Sequence, residues 1–460
     1  MNKPEDKLQG DGGRFEGTTW QDLLDLEQVD VPDYLRIKSN PYLGDEDLPV
    51  DRYISQAFFD LEKDKMWPKV WQMVCREEEI PAPGDHHVYK IIDKNVLVTR
   101  TPSGAINAYI NACLHRGRCL RDESGSVSEF RCPFHGSTWD LNGDFVGIPN
   151  DWDFKHLEGR DMRLPQVKVD TWGGFIFINF DPNSQPLAEY MEVMPAHFER
   201  FPLEKYWKGL HIQRKIKCNW KVGAEAFMES WHTLETHKQI LTFTGDANSQ
   251  YDTFGDNISR SVTPMGIASP HLEGIPQESV IRDILLMSGR MAIDSDEGLE
   301  IPTDITAREY VAKLNREMFE QSSGDNLQDA TMAELQDAIL YGLFPNFQVW
   351  VGYSGNLVYR FLPDGNNPDS CIFDVMILLR YPEGTDRPEP AECVVIPEDQ
   401  PFASVPELGA LGPVFDQDDA NLPAVQAGMK AKQGGTVVLA SYQESRIRQL
   451  HMTIDKYINS

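Results

Sequence analysis

The sequence NACLHRGRC spans residues 111–119, and the sequence RCPFHGSTWDLNG follows at residues 131–143. Each segment supplies one thiolate and one imidazole, because each contains one cysteine and one histidine in close succession. Glycines in both segments predict tight turns, which can bring backbone amides close to a metal-bound sulfur atom. The four candidate ligands are Cys113, His115, Cys132 and His135. Together they predict one metal site shared between two loops.

Two kinds of metal site accept this ligand set. In a [2Fe–2S] cluster of the Rieske type, two cysteines hold one iron and two histidines hold the other, which raises the reduction potential. A structural zinc ion also accepts two cysteines and two histidines. Zinc fingers usually keep their cysteines in one half and their histidines in the other, whereas each half is mixed here. The mixed spacing favours the iron–sulfur cluster and a role in electron transfer.

The composition limits the class of protein. At 460 residues the chain is too long for a single electron-transfer module of about 100 residues, so two or three domains are expected. The formal net charge of −29 argues against nucleic acid or an anionic membrane as a partner. The N-terminus shows no apolar leader, no apolar stretch approaches the roughly 20 residues that span a bilayer, and the cysteines outside the motif form no paired framework. We therefore expect a cytoplasmic protein.

The pattern of elements predicts an α+β protein with a small all-β domain and a larger domain. Residues 46–165 contain short strands and turns, including a hairpin over 87–100 with a three-residue turn. A strand at 172–182 begins a second region, in which separate helices and strands indicate an antiparallel sheet flanked by helices. Residues 1–45 are expected to lie over another domain. Helices are predicted over 222–240, 305–321, 326–341 and 418–431, and a surface loop over 382–401.

A second histidine motif lies in NWKVGAEAFMESWHTLETH, residues 219–237. Helical spacing places four polar side chains on one face: Glu225, Glu229, His232 and Thr236. His237 follows five residues after His232 and is rotated by about 140° from it in an ideal helix. The two imidazoles can therefore reach one metal only if the helix is distorted between them, for example by a π-bulge. Without a metal, they would be ordinary polar side chains of an amphipathic helix.

The two motifs together resemble those of the Rieske non-haem iron oxygenases, the large (α) subunits of aromatic-ring-hydroxylating dioxygenase systems. The resemblance covers roughly residues 48–455 and includes Asn219-Trp220-Lys221 and a Glu/Asp-x2-His-x4-His pattern. It implies that residues 46–165 form a Rieske [2Fe–2S] domain, and that residues 1–45 and 166–460 form a catalytic mononuclear-iron domain. Phe134 stands where quinol-oxidising Rieske proteins have an additional cysteine, which leaves Cys119 without a disulfide partner.

The resemblance also implies a second iron site. In this family, two histidines and one carboxylate bind Fe(II) and leave positions open for dioxygen and water. These histidines correspond to His232 and His237. The third ligand is expected in residues 414–431: counting back eight residues from the glutamine at position 426 favours Asp418, and Asp419 is the alternative. Either carboxylate could instead cap free amides at a helix N-terminus.

Glu229 occupies the position of the carboxylate that bridges the two redox centres in this family, where most members have aspartate. It is therefore predicted to be catalytic. The implied electron route runs from the cluster and His135 to Glu229 of the partner subunit, then to His232 and the iron, across a boundary in a head-to-tail trimer. A homotrimer is expected, either alone or with a small β subunit.

The resemblance further implies an oxygenase that hydroxylates a small apolar, aromatic substrate with dioxygen. Electrons from NAD(P)H are expected to arrive through a separate reductase, with or without a ferredoxin, because no Gly-x-Gly-x2-Gly motif for a dinucleotide follows a strand here. A monooxygenase or demethylase of the same family, acting on a non-aromatic substrate, is one alternative. A non-catalytic Rieske electron-transfer protein is another.

Apolar residues near the second motif suggest a substrate pocket, although aromatic residues at helical spacing suit an ordinary core equally well. The candidates are Phe227, Met228, Trp231, Leu241, Phe243 and Phe344. The motifs do not identify the substrate, because ring dihydroxylation and monohydroxylation use the same iron centre.

Overall fold

The computed structural model describes residues 15–290, 305–353 and 356–460. Most of the strands in these ranges are short. In chain order they are β1 (Leu48–Pro49), β2 (Gln72–Arg76), β3 (Asp85–Ile91), β4 (Lys94–Arg100), β5 (Ile106–Ile110), β6 (Gly125–Ser126), β7 (Phe130–Arg131), β8 (Thr138–Trp139), β9 (Phe145–Gly147), β10 (Gln166–Trp172), β11 (Phe175–Asn179), β12 (Trp207–Ile216), β13 (Gln250–Phe254), β14 (Ile258–Thr263), β15 (Ala338–Leu343), β16 (Phe347–Val351), β17 (Asn356–Asp364), β18 (Asn367–Leu379), β19 (Cys393–Ile396) and β20 (Thr436–Val437).

The α-helices belong mainly to the second half of the chain. They are α1 (Trp20–Leu24), α2 (Asp33–Arg36), α3 (Asp51–Ile54), α4 (Gln56–Leu61), α5 (Leu187–Tyr190), α6 (Met194–His197), α7 (Trp220–Ala226), α8 (Thr233–Thr236), α9 (Gln277–Met287), α10 (Ala307–Ser323), α11 (Met332–Gln336), α12 (Leu411–Ala431) and α13 (Ser445–Ile458). A π-helical turn at Glu62–Met66 continues α4. None of the described helices is long and apolar enough to cross a membrane.

The first sheet has seven antiparallel strands in the order β2-β11-β10-β5-β4-β3-β6, and β7, β8 and β9 form a small sheet beside it. Strand β11, expected to begin a different region, instead pairs with β10 and β2, because all five of its residues are buried. The sheet thus continues to Asn179, past residue 165, where the sequence prediction ended the first domain. In the β3–β4 hairpin, Lys90 pairs with Asn95 and Ile91 with Lys94, so the turn has two residues rather than the predicted three.

The second sheet has eight strands in the order β13-β14-β15-β16-β17-β18-β12-β19. All of its pairs are antiparallel except β12 with β19, which lies inside the predicted 382–401 loop. Helices α3, α4, α7 and α12 contact the β12, β17 and β18 side, and α13 contacts β13 and β14. The predicted α+β fold, with an antiparallel sheet flanked by helices, is confirmed.

Two predicted helices are wrong in part. The helix predicted over 326–341 is only α11, because the chain becomes extended at Asp337 and continues as the buried strand β15. The helix predicted over 222–240 is divided into α7 and α8. Helix α10 agrees with its prediction to within a few residues, whereas α12 begins at Leu411, two turns before the predicted start.

The N-terminal segment from residue 15 to 47 lies against the second sheet and is held there by polar contacts. The Trp20 indole donates to Asp337 Oδ2 at 2.9 Å. The buried Arg260 guanidinium donates to the carbonyls of Tyr34 and Ile37, each at 2.6 Å. Strand β1 pairs with β20, so the start of the described chain and its C-terminal part form one layer.

A fully buried ion pair joins the start of the first domain to α7. Lys221 Nζ lies 2.6 Å from Glu62 Oε1, and neither side chain is exposed. The Trp220 indole donates to the other oxygen of Glu62 at 3.2 Å. This pair positions the helix that leads into the histidine motif.

We expect Lys221→Met to lower the free energy of unfolding by about 3–5 kcal/mol, because it leaves the Glu62 charge buried without its partner. The double variant Lys221→Met/Glu62→Leu should recover most of this loss, since no charge remains buried. Urea unfolding followed by tryptophan fluorescence measures both values. Lys155→Met, in an exposed ion pair with Glu158, serves as control and should change stability by less than about 1 kcal/mol. Equal stability of Lys221→Met and wild type would contradict the prediction.

Candidate metal centres

The two cysteine loops have the same backbone construction. In one, Cys113 N donates to Arg118 O and Gly117 N donates to Cys113 O, both at 2.8 Å. In the other, Cys132 N donates to Ser137 O at 2.8 Å, and Gly136 N donates to Cys132 O at 2.9 Å. The two glycines have φ angles of 77° and 80°, a left-handed conformation that favours glycine. The local sequence therefore folds each loop into a tight turn around its cysteine.

The four candidate ligands of these loops lie together at one end of the first domain. Cys113 and Cys132 are buried. The imidazoles of His115 and His135 are exposed, with ring centroids 4.8 Å apart. Burial raises the pKa of the Cys113 thiol, as does the Cys132 thiol, while the backbone amides of His115 and Arg116 oppose that rise. Amides so placed would stabilise a bound thiolate.

The donor set of these loops fits a [2Fe–2S] cluster. Two thiols can hold one iron and two imidazoles the other, so each iron takes two of the four ligands. The two thiols are buried and the two imidazoles are exposed, so the two kinds of donor lie in different surroundings.

The second site forms where the chain leaves regular helix. Helix α7 ends at Ala226, and α8 is a single turn with His232 as its N-cap and His237 as its C-cap. The helix is distorted between the histidines, as the spacing requires, but not by the π-bulge given as an example: α8 is a single turn that ends at His237, whose φ of −120° and ψ of 49° are not helical. The two imidazole centroids lie 5.1 Å apart.

The interruption between α7 and α8 is held by side chains distant in sequence. Arg446 on α13 donates to the Met228 carbonyl at 3.1 Å and to Ser261 Oγ at 2.7 Å. The backbone amide of Ser230 donates to the Tyr251 hydroxyl at 3.0 Å, and the two hydroxyls lie 2.7 Å apart. These contacts satisfy backbone groups that would otherwise continue the helix.

A carboxylate and an amide orient the two imidazoles. Glu229 Oε1 lies 2.7 Å from His232 Nδ1, and Gln417 Oε1 lies 2.8 Å from His237 Nδ1. Because both Nδ1 atoms face acceptors, both Nε2 atoms are left to face Asp418, whose Oδ1 lies 3.8 Å and 3.0 Å from them. Sequence reasoning missed Gln417, although its position directly before Asp418 was a possible signal. The donor set fits an Fe(II) ion held by two histidines and one carboxylate.

The two adjacent aspartates of α12 face different surroundings. Asp418 is buried beside both histidines, whereas Asp419 Oδ2 lies 3.0 Å from Arg214 Nη2. Burial raises the pKa of Asp419, and Arg214 opposes that rise. Neither residue lies in the first turn of α12, so the capping role does not apply to them. The choice of Asp418 as iron ligand stays a prediction, and the geometry favours it over Asp419.

A cavity of about 340 Å³ opens on one side of this site. Its lining is mainly apolar and includes Phe227, Phe243, Met265, Leu340, Trp350 and Phe415. The hydroxyls of Ser230, Ser261 and Thr263 in its wall hydrogen bond to Tyr251, Arg446 and Ser249, respectively, which lie behind the wall. Away from the histidine site, most of the surface that faces the cavity is therefore apolar, as a substrate pocket for a hydrocarbon requires.

Only two of the six suggested pocket residues, Phe227 and Phe243, line this cavity. Met228 and Phe344 line a much smaller one of about 20 Å³, Leu241 is buried elsewhere, and the Trp231 side chain is half exposed. Elements β14–β17 and α12, which are distant from the motif in sequence, supply 11 of the 24 residues that line the cavity.

A second cavity, of about 360 Å³, also borders the site. Glu229, His232 and Asp418 line both cavities. The second one also contains Glu225 and Thr236, so the four polar residues predicted to share a helix face do line one cavity, although the helix is interrupted.

We expect Arg446→Met to weaken metal binding at the histidine site by about 10- to 100-fold, because the turn between α7 and α8 loses the donor to its Met228 carbonyl. Co(II) titration of protein with an empty histidine site measures the affinity, and the visible spectrum reports the cluster, which should stay unchanged. The control is Arg448→Met, which removes an equally buried arginine of α13 that binds Leu439 and Ala440 instead. The same loss in both variants would contradict the prediction.

Two family models match this chain: the Rieske [2Fe–2S] domain over residues 70–158 and the catalytic domain of the ring-hydroxylating alpha subunit over residues 196–460. The N,N-dimethyl phenylurea N-demethylase subunit alpha of Sphingobium sp. (strain YBL2) is 31% identical over 204 residues, which are 42% of this chain and 44% of that protein. The large oxygenase component of the naphthalene 1,2-dioxygenase system of Pseudomonas putida is 27% identical over 289 residues, 58% of this chain and 63% of that protein. The matched part thus spans about half the length of these curated relatives.

Solved structures show the same fold. A quaternary ammonium Rieske monooxygenase in complex with L-carnitine gives a TM-score of 0.60 at 18% identity, over 89% of this chain and 95% of that one. Naphthalene 1,2-dioxygenase from Rhodococcus sp. bound to indole gives 0.59 at 19% identity, over 89% and 94%. Together with the two family models, these structural similarities confirm the resemblance that the sequence motifs indicated. The chain belongs to the ring-hydroxylating alpha subunits, with a Rieske [2Fe–2S] domain followed by a mononuclear-iron catalytic domain.

Proposed function

We propose that this chain is the oxygenase component of a ring-hydroxylating system, which uses dioxygen and electrons from NAD(P)H to hydroxylate an apolar, aromatic substrate. The apolar cavity beside His232, His237 and Asp418 is the observation that carries this proposal. A hydrocarbon bound there would lie next to the iron site. Among the relatives, the naphthalene 1,2-dioxygenase component supports the aromatic substrate.

We further propose that Cys113, His115, Cys132 and His135 hold the cluster and that His232, His237 and Asp418 hold the iron. When bound, the cluster supplies electrons and the Fe(II) ion activates dioxygen. Glu229 and Gln417 accept hydrogen bonds from the Nδ1–H groups of the histidines, which keeps the Nε2 atoms available for the metal. The apolar wall of the cavity excludes water, so a bound substrate would lie next to the iron site in place of water.

Two exposed apolar surfaces support the proposal that the protein is a head-to-tail homotrimer, alone or with a small β subunit. Beside the cluster loops, the side chains of Phe134 and Trp152 are 55% and 69% exposed. Around the second cavity, those of Val425 and Val438 are 43% and 75% exposed. Docking of the first surface on the second would bring the cluster histidines of one subunit toward Glu229 of the partner subunit.

The electron donor in this proposal is a separate reductase, with or without a ferredoxin, in the cytoplasm. All seven cysteines lie in the described ranges without a disulfide, which agrees with a reducing compartment.

A monooxygenase or demethylase that uses the same two metal centres is the second candidate. The N-demethylase subunit among the relatives favours it. Incubation with dioxygen, a reductant and panels of aromatic, steroid and quaternary-amine compounds would separate the two reactions by their products. Iron analysis tests the non-catalytic alternative: the oxygenase holds about three irons per chain, and an electron carrier holds about two.

Asp418→Ala should empty the mononuclear site and abolish oxygenation, because the iron loses its only carboxylate ligand, while the cluster spectrum remains. Asp419→Ala, the matched control on the same helix turn, should retain iron and much of the activity, since its partner is Arg214. Iron analysis and product formation measure both effects. The reverse pattern would assign the ligand to Asp419, and full activity of both variants would refute the proposed ligand set.

Glu229→Gln should keep about three irons per chain yet slow oxidation of the reduced cluster in a single turnover by at least about a hundredfold. The amide keeps the size of the side chain but removes the charge that accepts from His232, and it weakens the bridge between the centres. Stopped-flow absorption of the cluster measures the rate. Glu235→Gln, on the exposed face of α8, is the control. Electron transfer at the wild-type rate in Glu229→Gln would refute the bridging role.

A further inference from the structure

A closed group of three buried polar side chains lies behind the second cavity. Glu225 Oε1 is 2.8 Å from His451 Nε2, and Glu225 Oε2 accepts from the Tyr53 hydroxyl at 3.1 Å. The Tyr53 hydroxyl is also 2.9 Å from His451 Nε2. The exposed fractions of Glu225, Tyr53 and His451 are 8%, 0% and 1%. The group contains a carboxyl that is almost wholly removed from solvent.

The nearest cations are already paired with other carboxylates. Lys221 is held by Glu62, and Arg52 is paired with Asp455. Burial raises the pKa of Glu225 to about 8 and lowers the pKa of His451 well below its ordinary value. At neutral pH the imidazole is therefore neutral and the carboxyl keeps its proton.

The hydrogen bonds indicate where this proton points. Among the described residues, His451 Nδ1 has no partner, so the tautomer with hydrogen on Nε2, which donates to Glu225, leaves no buried N–H unsatisfied. Tyr53 and His451 then both donate to the carboxyl, and its own hydrogen is free to point into the cavity. The same two donors would stabilise the carboxylate that remains after the proton leaves.

Glu225 lines the second cavity, together with Glu229, His232 and Asp418, and does not line the substrate cavity. Apart from Glu229 and the three candidate iron ligands, the substrate cavity is lined by no carboxyl or imidazole group of the described chain. The second cavity also contains Glu444, whose pKa burial raises to about 7. Among the described residues, the carboxyl groups that can bring further protons to the site therefore lie in the second cavity.

We propose that Glu225 stores and donates a proton for dioxygen reduction, and this inference rests on the oxygenase function proposed above. Conversion of a substrate RH and O2 to ROH and H2O consumes two electrons and two protons. The electrons come from NAD(P)H through the cluster. The first proton comes from cleavage of the O–H bond of Glu225, whose bonding electrons stay on the carboxylate. Solvent at the mouth of the cavity beside Glu444 then reprotonates Glu225, which supplies the second proton in the same way.

Infrared spectroscopy of the metal-loaded protein tests whether the Glu225 carboxyl is protonated, and it does not require turnover. The wild type should show a protonated-carboxyl band at neutral pH that decreases as the pH rises through about 8. The pH-dependent component of this band should be absent from Glu225→Gln, because the amide keeps the hydrogen bonds but carries no acidic proton. Glu192→Gln removes a carboxyl whose pKa is also raised by burial, but which lies outside both cavities, and should leave the component intact. Persistence of the component in Glu225→Gln would overturn the inference.

Turnover measurements test whether Glu225 donates its proton. With naphthalene as probe, oxygenated product and released peroxide are counted together, so that coupled and uncoupled reduction of dioxygen both report proton delivery. The wild-type rate should fall above about pH 8, whereas Glu225→Gln should be roughly a hundredfold slower with no such fall. If Glu225→Gln kept the pH profile of the wild type, the proton role of Glu225 would be overturned, but the proposed oxygenase function would not. Absence of any dioxygen reduction by iron-loaded wild type would overturn the proposed function itself.

Discussion

Two imidazoles five residues apart cannot face one point from an uninterrupted α-helix, and the catalytic domain is organised around this constraint. The helix that carries the motif ends at Ala226, and only one helical turn separates His232 from His237. Such a break exposes backbone groups that need partners. Arg446 and Tyr251 provide these partners from α13 and β13, so the last helix and the sheet both determine where the histidines point.

The candidate iron site lies where two cavities of different chemistry meet. One is mainly apolar and suits a hydrocarbon, and the other contains the carboxyl groups of Glu225 and Glu444. Glu229 lies in the walls of both cavities and binds His232, so a single side chain connects the two cavities to the histidine site.

The sequence was sufficient to predict the α+β fold and to propose residues for the two metal sites. The cysteine and histidine motifs depend on local spacing, whereas Asp418 was proposed from the resemblance to the family. The sequence did not predict the break after Ala226, since the residues that hold it lie about 20 and 220 positions further along the chain. For the same reason, β15 was predicted as part of a helix: its buried position between β14 and β16 outweighs its local preference. Most of the substrate cavity was missed too, because strands and a helix far from the motif supply much of its lining. Gln417 belongs to no motif, and its role depends on a contact with His237 that the fold creates between residues 180 positions apart.

Chain connectivity sets the order in which this domain can be completed during synthesis. The segment that contains Trp20 and Tyr34 leaves the ribosome first, yet its partners Asp337 and Arg260 follow more than 200 residues later. Strand β1 must likewise wait for β20, and the α7–α8 turn must wait for Arg446. A nascent chain can therefore form the cluster loops early, but it cannot finish the iron site until Arg446 has been synthesised. Premature termination near the C-terminus would leave a chain able to take up the cluster but not the mononuclear iron.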